Sequence, residues 1–184
     1  MTENVRRKTM GNNPDKDNVP KHFFRRHSIR LRGYDYSDAG FYFVTMCVQN
    51  RESLFGRITE GCVELNPPGE MVQKIWKEMP ARYPGVETDV FIVMPNHVHG
   101  IIVLGESPSS LSLPEVVRRF KRLTTRAYIR GVREKAWKPF SGRLWQHNYW
   151  ERVIRNESEL DKAREYVLTN PCGDERSDFC MLAP

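Results

Sequence analysis

Long apolar runs are missing from this chain, and so is any close pair of cysteines. No stretch of about eighteen apolar residues occurs, which excludes a membrane-spanning helix and with it a membrane partner. Of the 184 residues only four are cysteine, Cys47, Cys62, Cys172 and Cys180, and their wide spacing fits neither a zinc knuckle nor a disulfide framework. The N-terminal residues lack the apolar centre of a secretion signal, so the expectation is a cytoplasmic protein with reduced thiols. Acidic residues are scarce relative to basic ones: 23 Asp and Glu face 29 Lys and Arg, for a net charge of +6 and a pI near 9.2. That balance favours a polyanionic partner; its plainer use is solubility.

The positive charge is unevenly placed. Residues 1 to 32 hold nine Lys or Arg against three acids, including Arg25, Arg26, Arg30 and Arg32, with little apolar periodicity before Phe23. Residues 1–30 therefore read as a flexible basic arm, 31–171 as one domain and 172–184 as a tail. A second concentration lies in Pro114–Arg130, an amphipathic helix by its spacing. Val116, Val117, Phe120, Leu123, Ala127 and Tyr128 form its apolar stripe, and Arg118, Arg119, Lys121, Arg122 and Arg126 surround it. A solvated basic face would explain either segment alone; together they fit contacts to phosphates.

The remaining elements follow from period and punctuation. Phe41–Gln49 is a β-branched and aromatic run and reads as the first core strand. A small hairpin is expected around Leu54–Arg57 and Cys62–Leu65, turning at Thr59–Gly61. Met71, Val72, Ile75, Trp76 and Met79 recur at helical spacing, with Pro80 and Pro84 expected to end that helix. Val86–Met94 reads as a strand, residues 105–113 as a flexible connection and Lys135–Leu144 as irregular. The order predicts an α+β fold with helices on one or both faces of an antiparallel sheet.

Within that order, Met94-Pro-Asn-His-Val-His-Gly-Ile-Ile-Val-Leu104 carries the most chemical information. Alternation along a strand aims His97 and His99 at the same side, a partial metal site that lacks a third ligand. A polar strand face exposed to solvent is the competing reading. Pro95 and Asn96 mark a break just before the pair, which predicts histidines at a strand start near a sheet edge. Farther on, Glu157–Thr169 has a capping Asn156, acids in its first turn and the terminating Asn170-Pro171, and so reads as a helix. Leu160, Ala163, Val167 and the Arg164 stem line its core side. Tyr166 sits on the flank of that stripe with Asn170 one turn later, so a phenol and an amide are presented together.

These stretches resemble the single-tyrosine transposases of the HUH type, specifically the REP-associated group. The resemblance is carried by Leu31-Arg-Gly-Tyr-Asp-Tyr36, Met94-Pro-Asn-His-Val-His99, Val117–Thr125, and Trp145–Glu157 through Tyr166-Val-Leu-Thr-Asn-Pro171, and covers roughly residues 30 to 171. It implies a ferredoxin-like (RRM-like) antiparallel sheet, the HUH endonuclease fold, with the histidines on a central strand and the nucleophile on a nearby helix. It further implies that Tyr166 cleaves single-stranded DNA through a 5′-phosphotyrosine link, with His97, His99 and Asn170 around Mg²⁺ or Mn²⁺.

DNA contacts are then expected from Arg25, Arg26, Arg30 and Arg32 and from Arg118, Arg119, Lys121 and Arg122. Tyr34, Tyr36 and Trp145 are candidates for base stacking as much as for the core. The expected partner is single-stranded or hairpin DNA, bound by a monomer or a homodimer. Two other readings stay open at this level: a hairpin-binding protein without strand transfer, and a metal-dependent hydrolase with a water nucleophile.

Overall fold

The computed structural model describes residues 34–106 and 111–170. Strand β1 (Gly40–Cys47) leads through a short 3₁₀ turn to a small hairpin, β2 (Gly56–Thr59) and β3 (Cys62–Leu65). Helices α1 (Pro67–Lys77) and α2 (Met79–Arg82) follow, then strands β4 (Val86–Met94) and β5 (His97–Leu104). The long helix α3 (Leu113–Lys135), strand β6 (Trp150–Ile154) and helix α4 (Glu157–Thr169) complete the order. The main sheet runs β4-β5-β1-β6, and every pairing in it is antiparallel. This is the expected α+β architecture, with helices on both faces.

Alternation along β1 divides the core in two. Tyr42, Val44 and Met46 face one side with Val98 and Ile102 of β5, where Val72 and Trp76 of α1 and Val116, Val117 and Phe120 of α3 cover them. Phe43 faces the other side with Ile101 and is covered by Leu160 and Val167 of α4. The sheet is thus buried on both faces, which explains why β1 and β5 read as nearly continuous apolar runs.

A bulge in β4 sets where α4 sits. The register shifts between Thr88 and Phe91, which pair with Ile102 and Gly100 on the α3 side, so the two intervening residues both belong to the α4 side. Val90 packs with that smaller core, and Asp89 accepts hydrogen bonds from Arg164 Nε and Nη2 at 3.0 and 2.7 Å. This pair fixes α4 against the sheet two residues before Tyr166.

Three local expectations are corrected. Pro80 does not simply end the first helix: α1 stops at Lys77, and Pro80 lies in the first turn of α2, where its missing N–H is not needed. Leu113 belongs to α3 rather than the connection before it, and α3 continues past Arg130 to Lys135. Tyr36 and Trp145 are core residues, 9% and 4% exposed, and so are not base-stacking platforms. Trp145 Nε1 donates to Thr124 Oγ1 at 2.8 Å, and Tyr36 packs edge-on against Tyr34. Tyr34 itself is partly buried against this core.

The entry to α1 shows how tightly the small hairpin is joined to the body. Asn66 caps the helix by accepting from the Gly69 N–H at 3.0 Å, and a Cβ on Gly69 would stand 2.1 Å from the Phe55 carbonyl oxygen. Backbone cannot yield as a side-chain tip can. Gly69→Ala is therefore expected to lower stability by about 1–3 kcal/mol, read as a lower denaturation midpoint. An unchanged midpoint would show that the Phe55 backbone moves freely.

Candidate active site

His97 and His99 open β5, an inner strand flanked by β4 and β1, rather than lying near a sheet edge. They are 9% and 0% exposed, which overturns the solvent-exposed reading. The reason is tertiary: the break at Pro95-Asn96 is itself packed, with the Pro95 carbonyl accepting from Leu54 and Phe55 and the Asn96 carbonyl from Val48. A strand start can therefore be buried.

Both imidazoles lie on the α4 side, since His99 is opposite Thr45 and His97 opposite Cys47 in the β1 register. Their Nε2 atoms are 3.1 Å apart. His97 Nδ1 lies 2.6 Å from Asn96 Oδ1, an acceptor, so Nδ1 carries the proton and Nε2 presents a lone pair. His99 Nδ1 lies 2.8 Å from Thr45 Oγ1. A hydroxyl both donates and accepts, so it accommodates either His99 tautomer. With Thr45 donating, His99 Nε2–H donates to His97 Nε2; with Thr45 accepting, both Nε2 atoms offer lone pairs to one point.

Burial lowers the affinity of both rings for a proton. His97 is pushed down to about 4 by desolvation, with Arg51 adding to the effect, and His99 is held well below the usual imidazole range by desolvation and by His97. Two neutral rings with convergent nitrogens suit a divalent ion. Among the described residues no third His, Cys, Asp or Glu joins them to form a cluster.

Tyr166 stands against this pair. Its ring centroid is 5.4 Å from that of His99 and 5.8 Å from Phe43, edge-on to both, and Phe43 stacks on His99 at 5.6 Å. Asn170 follows at the C-terminal cap of α4 and is 8% exposed. Helix and strand, distant in sequence, thus bring the phenol beside the imidazole pair.

The predicted basic residues have different fates. Arg118 and Arg119 both bond Glu115, and the Arg119 guanidinium lies 4.9 Å over the Tyr83 ring. Lys121 is turned away from the solvated face: its Nζ donates to the carbonyls of Gln146 and Asn148, each at 2.9 Å, above the Tyr149 ring. Burial pushes this ammonium down to about 8. It anchors the segment before β6 rather than joining Arg118 and Arg122 outside. Arg122 is exposed. Arg25, Arg26, Arg30 and Arg32, with the rest of the N-terminal arm, lie outside the described residues, as do Cys172, Cys180 and the tail. Cys47 and Cys62 take part in no disulfide among the described residues.

Sequence reasoning missed Thr45, Asn96 and Asp89 as supports of the site. Asn96 carries a signal in its adjacency to His97, although beside Pro95 it also reads as a turn residue. Thr45 and Asp89 carried none, because cross-strand register and a bulge set their roles. On the reading that the two imidazoles hold a divalent ion, Thr45→Val should leave His99 Nδ1 without its buried partner and weaken Mn²⁺ binding about 10-fold or more, with Thr45→Ser restoring it. Titration followed by the electron paramagnetic resonance of free Mn²⁺ checks this, and equal affinity in all three proteins would count against it.

Family and fold together make this a DNA-processing domain of the transposase kind. The chain belongs to the IS200-like transposase family, whose pattern matches residues 41–170. A Haemophilus influenzae protein with no assigned activity is 36% identical over 165 residues, covering 79% of this chain and 88% of its own length. Another from the same organism, provisionally named a REP-associated tyrosine transposase, is 24% identical over 140 residues, covering 74% and 73%. The solved structure of a REP-associated tyrosine transposase bound to a REP hairpin shares the fold, with a TM-score of 0.56, 23% identity, and coverage of 77% of this chain and 72% of that one. Among the described residues no helix is long and apolar enough to cross a membrane.

Proposed function

We propose that this protein is a metal-dependent single-stranded DNA endonuclease and strand transferase of the HUH tyrosine type, acting near hairpin sequences in the cytoplasm. The observation that carries this is the Tyr166 ring lying 5.4 Å from His99, whose Nε2 converges with that of His97 at 3.1 Å. The hairpin bound by the REP-associated transposase that shares this fold supports the substrate class.

In this reading Tyr166 Oη attacks the scissile phosphorus, the Oη–P bond forms and the P–O3′ bond breaks. The phenol proton ends on the departing 3′ oxygen, leaving a 5′-phosphotyrosine and a free 3′-hydroxyl. Attack by a 3′-hydroxyl on the phosphotyrosine reverses the step and rejoins DNA. A neutral phenol is a weak nucleophile, so the surroundings must favour its charge as the bond forms. When bound, a divalent ion, Mg²⁺ or Mn²⁺, supplies positive charge at the scissile phosphate. His97, His99 and Asn170 are the residues that would hold it. Asn96 and Thr45 orient the rings, and the Asp89–Arg164 pair holds the helix that bears the nucleophile. Arg118, Arg119 and Arg122, with Arg25, Arg26, Arg30 and Arg32, serve the DNA backbone, whereas Lys121 acts through the 146–148 segment it anchors.

Labelled hairpin DNA with a single-stranded flank, incubated with the protein and Mn²⁺ or Mg²⁺, should yield a labelled adduct that survives denaturing electrophoresis and is removed by protease. Binding without an adduct across a broad hairpin panel would favour a binding protein. A free 5′-phosphate with no adduct would favour a water nucleophile.

A further inference from the structure

The proposed chemistry uses the α4 side of the sheet, and of the outer surface of α3 on the opposite side it uses only Arg118, Arg119 and Arg122, leaving the C-terminal half of that helix unexplained. Arg122, Arg126, Arg130 and Arg133 recur there every third or fourth residue, which places them along one side of the helix. Among the described residues none of the four meets a carboxylate. Elsewhere Arg57, Arg82, Arg118, Arg119, Arg152 and Arg164 each do. A helix whose first turn neutralises its arginines and whose later turns leave them free concentrates charge toward its C-terminal half.

The surface beside these arginines is concave. Arg126, Arg130 and Arg133, with Lys74, Arg82 and Lys135, line a cleft of about 830 Å³ between α1 and α3, against only Glu78 and Glu134. Glu78 is already bonded to Arg82. A smaller cleft holding Arg118, Arg119 and Arg122 adjoins it through the shared Leu123. From Arg122 to Arg133 the helix rises about 16 Å, the axial length of about five base pairs.

We infer that this α1–α3 cleft is a second DNA surface, which holds the phosphate backbone of the duplex stem on the side of the sheet away from Tyr166. The assignment rests on the DNA-processing reading above and adds to it where the stem lies. Duplex rather than single strand fits the chemistry of the face. Single-strand grooves combine charge with exposed aromatic platforms, whereas here the charge is a straight row. The aromatics beside it are engaged, Trp137 packed on Gly131 and Tyr128, and Tyr83 under Arg119. A row of guanidinium groups without base-reading partners binds backbone and is indifferent to sequence.

The test compares the wild-type chain with a triple variant, Arg126→Gln, Arg130→Gln and Arg133→Gln, by fluorescence anisotropy over a range of NaCl. The probes are a hairpin with a single-stranded flank and the same flank without a stem. The triple variant is expected to bind the hairpin about 10-fold or more weakly near 0.15 M salt, with the slope of log affinity against log salt smaller by about 2 to 3. Its binding to the stemless strand and its adduct formation on that strand stay at wild-type level, and the three Lys replacements retain hairpin binding. Unchanged hairpin affinity and slope would overturn the assignment, and so would an equal loss on the stemless strand. A wild-type chain that forms no adduct while the triple variant still loses the stem would refute the nuclease reading and leave the surface standing.

Discussion

Tyr166→Phe is expected to abolish the covalent DNA adduct, a loss of at least about 10³-fold, while leaving the fold and hairpin affinity unchanged. The substitution removes only the oxygen that is proposed to form the bond to phosphorus. The ring keeps its edge-on contacts with His99 and Phe43 at 5.4 and 5.8 Å, so the packing of α4 on the sheet is retained. Asp89–Arg164, two residues away, is untouched. The clean separation of chemistry from packing makes the variant informative: its melting midpoint should match the wild type and its adduct band should vanish. Cleavage that persists at the wild-type rate would transfer the nucleophile's role to water.

The second large effect is on stability in acid. His97 has its folded pKa pushed down to about 4, against about 6.5 in the unfolded chain, and His99 is displaced in the same direction. Above pH 6.5 both rings are neutral in either state and their burial carries no protonation cost. As the pH falls below 6.5 the unfolded chain takes up protons that the fold refuses, so stability declines until the folded pKa is reached. For His97 alone the loss between pH 6.5 and 4 amounts to about 3 kcal/mol, and His99 deepens it. Denaturant midpoints measured in a chelator over this range should fall steeply for the wild type. The double variant His97→Gln, His99→Gln should fall much less. Parallel curves for the two proteins would mean that the imidazoles are not the groups responsible.

These expectations draw on very different kinds of information. The pairing of His97 with His99 on one side of a strand is a property of the period-two backbone and was legible in the chain itself, as were the basic stripe of α3 and the cap, acids and terminating Asn-Pro of α4. So was the class of fold, because β-branched and aromatic runs give way to apolar residues at helical spacing where the structure switches from strand to helix. The place of β5 inside the sheet was legible only through the family resemblance. Read from Pro95 and Asn96 alone the strand seemed peripheral, since nothing local says that Leu54, Phe55 and Val48 will bond the carbonyls of that break.

Sequence alone therefore determined which side chains are candidates for the chemistry, because strand alternation and helical pitch are local geometry. The tertiary structure decided what surrounds them. Register across β1 and β5 put Thr45 against His99, and the β4 bulge turned Asp89 toward Arg164. Folding of the 144–149 segment onto α3 drew Lys121 inward, while Arg122, Arg126, Arg130 and Arg133 meet no carboxylate among the described residues. The physical reason is that a hydrogen-bond partner or a counter-charge is chosen by distance in space, and for these groups the partner lies tens of residues away or is absent.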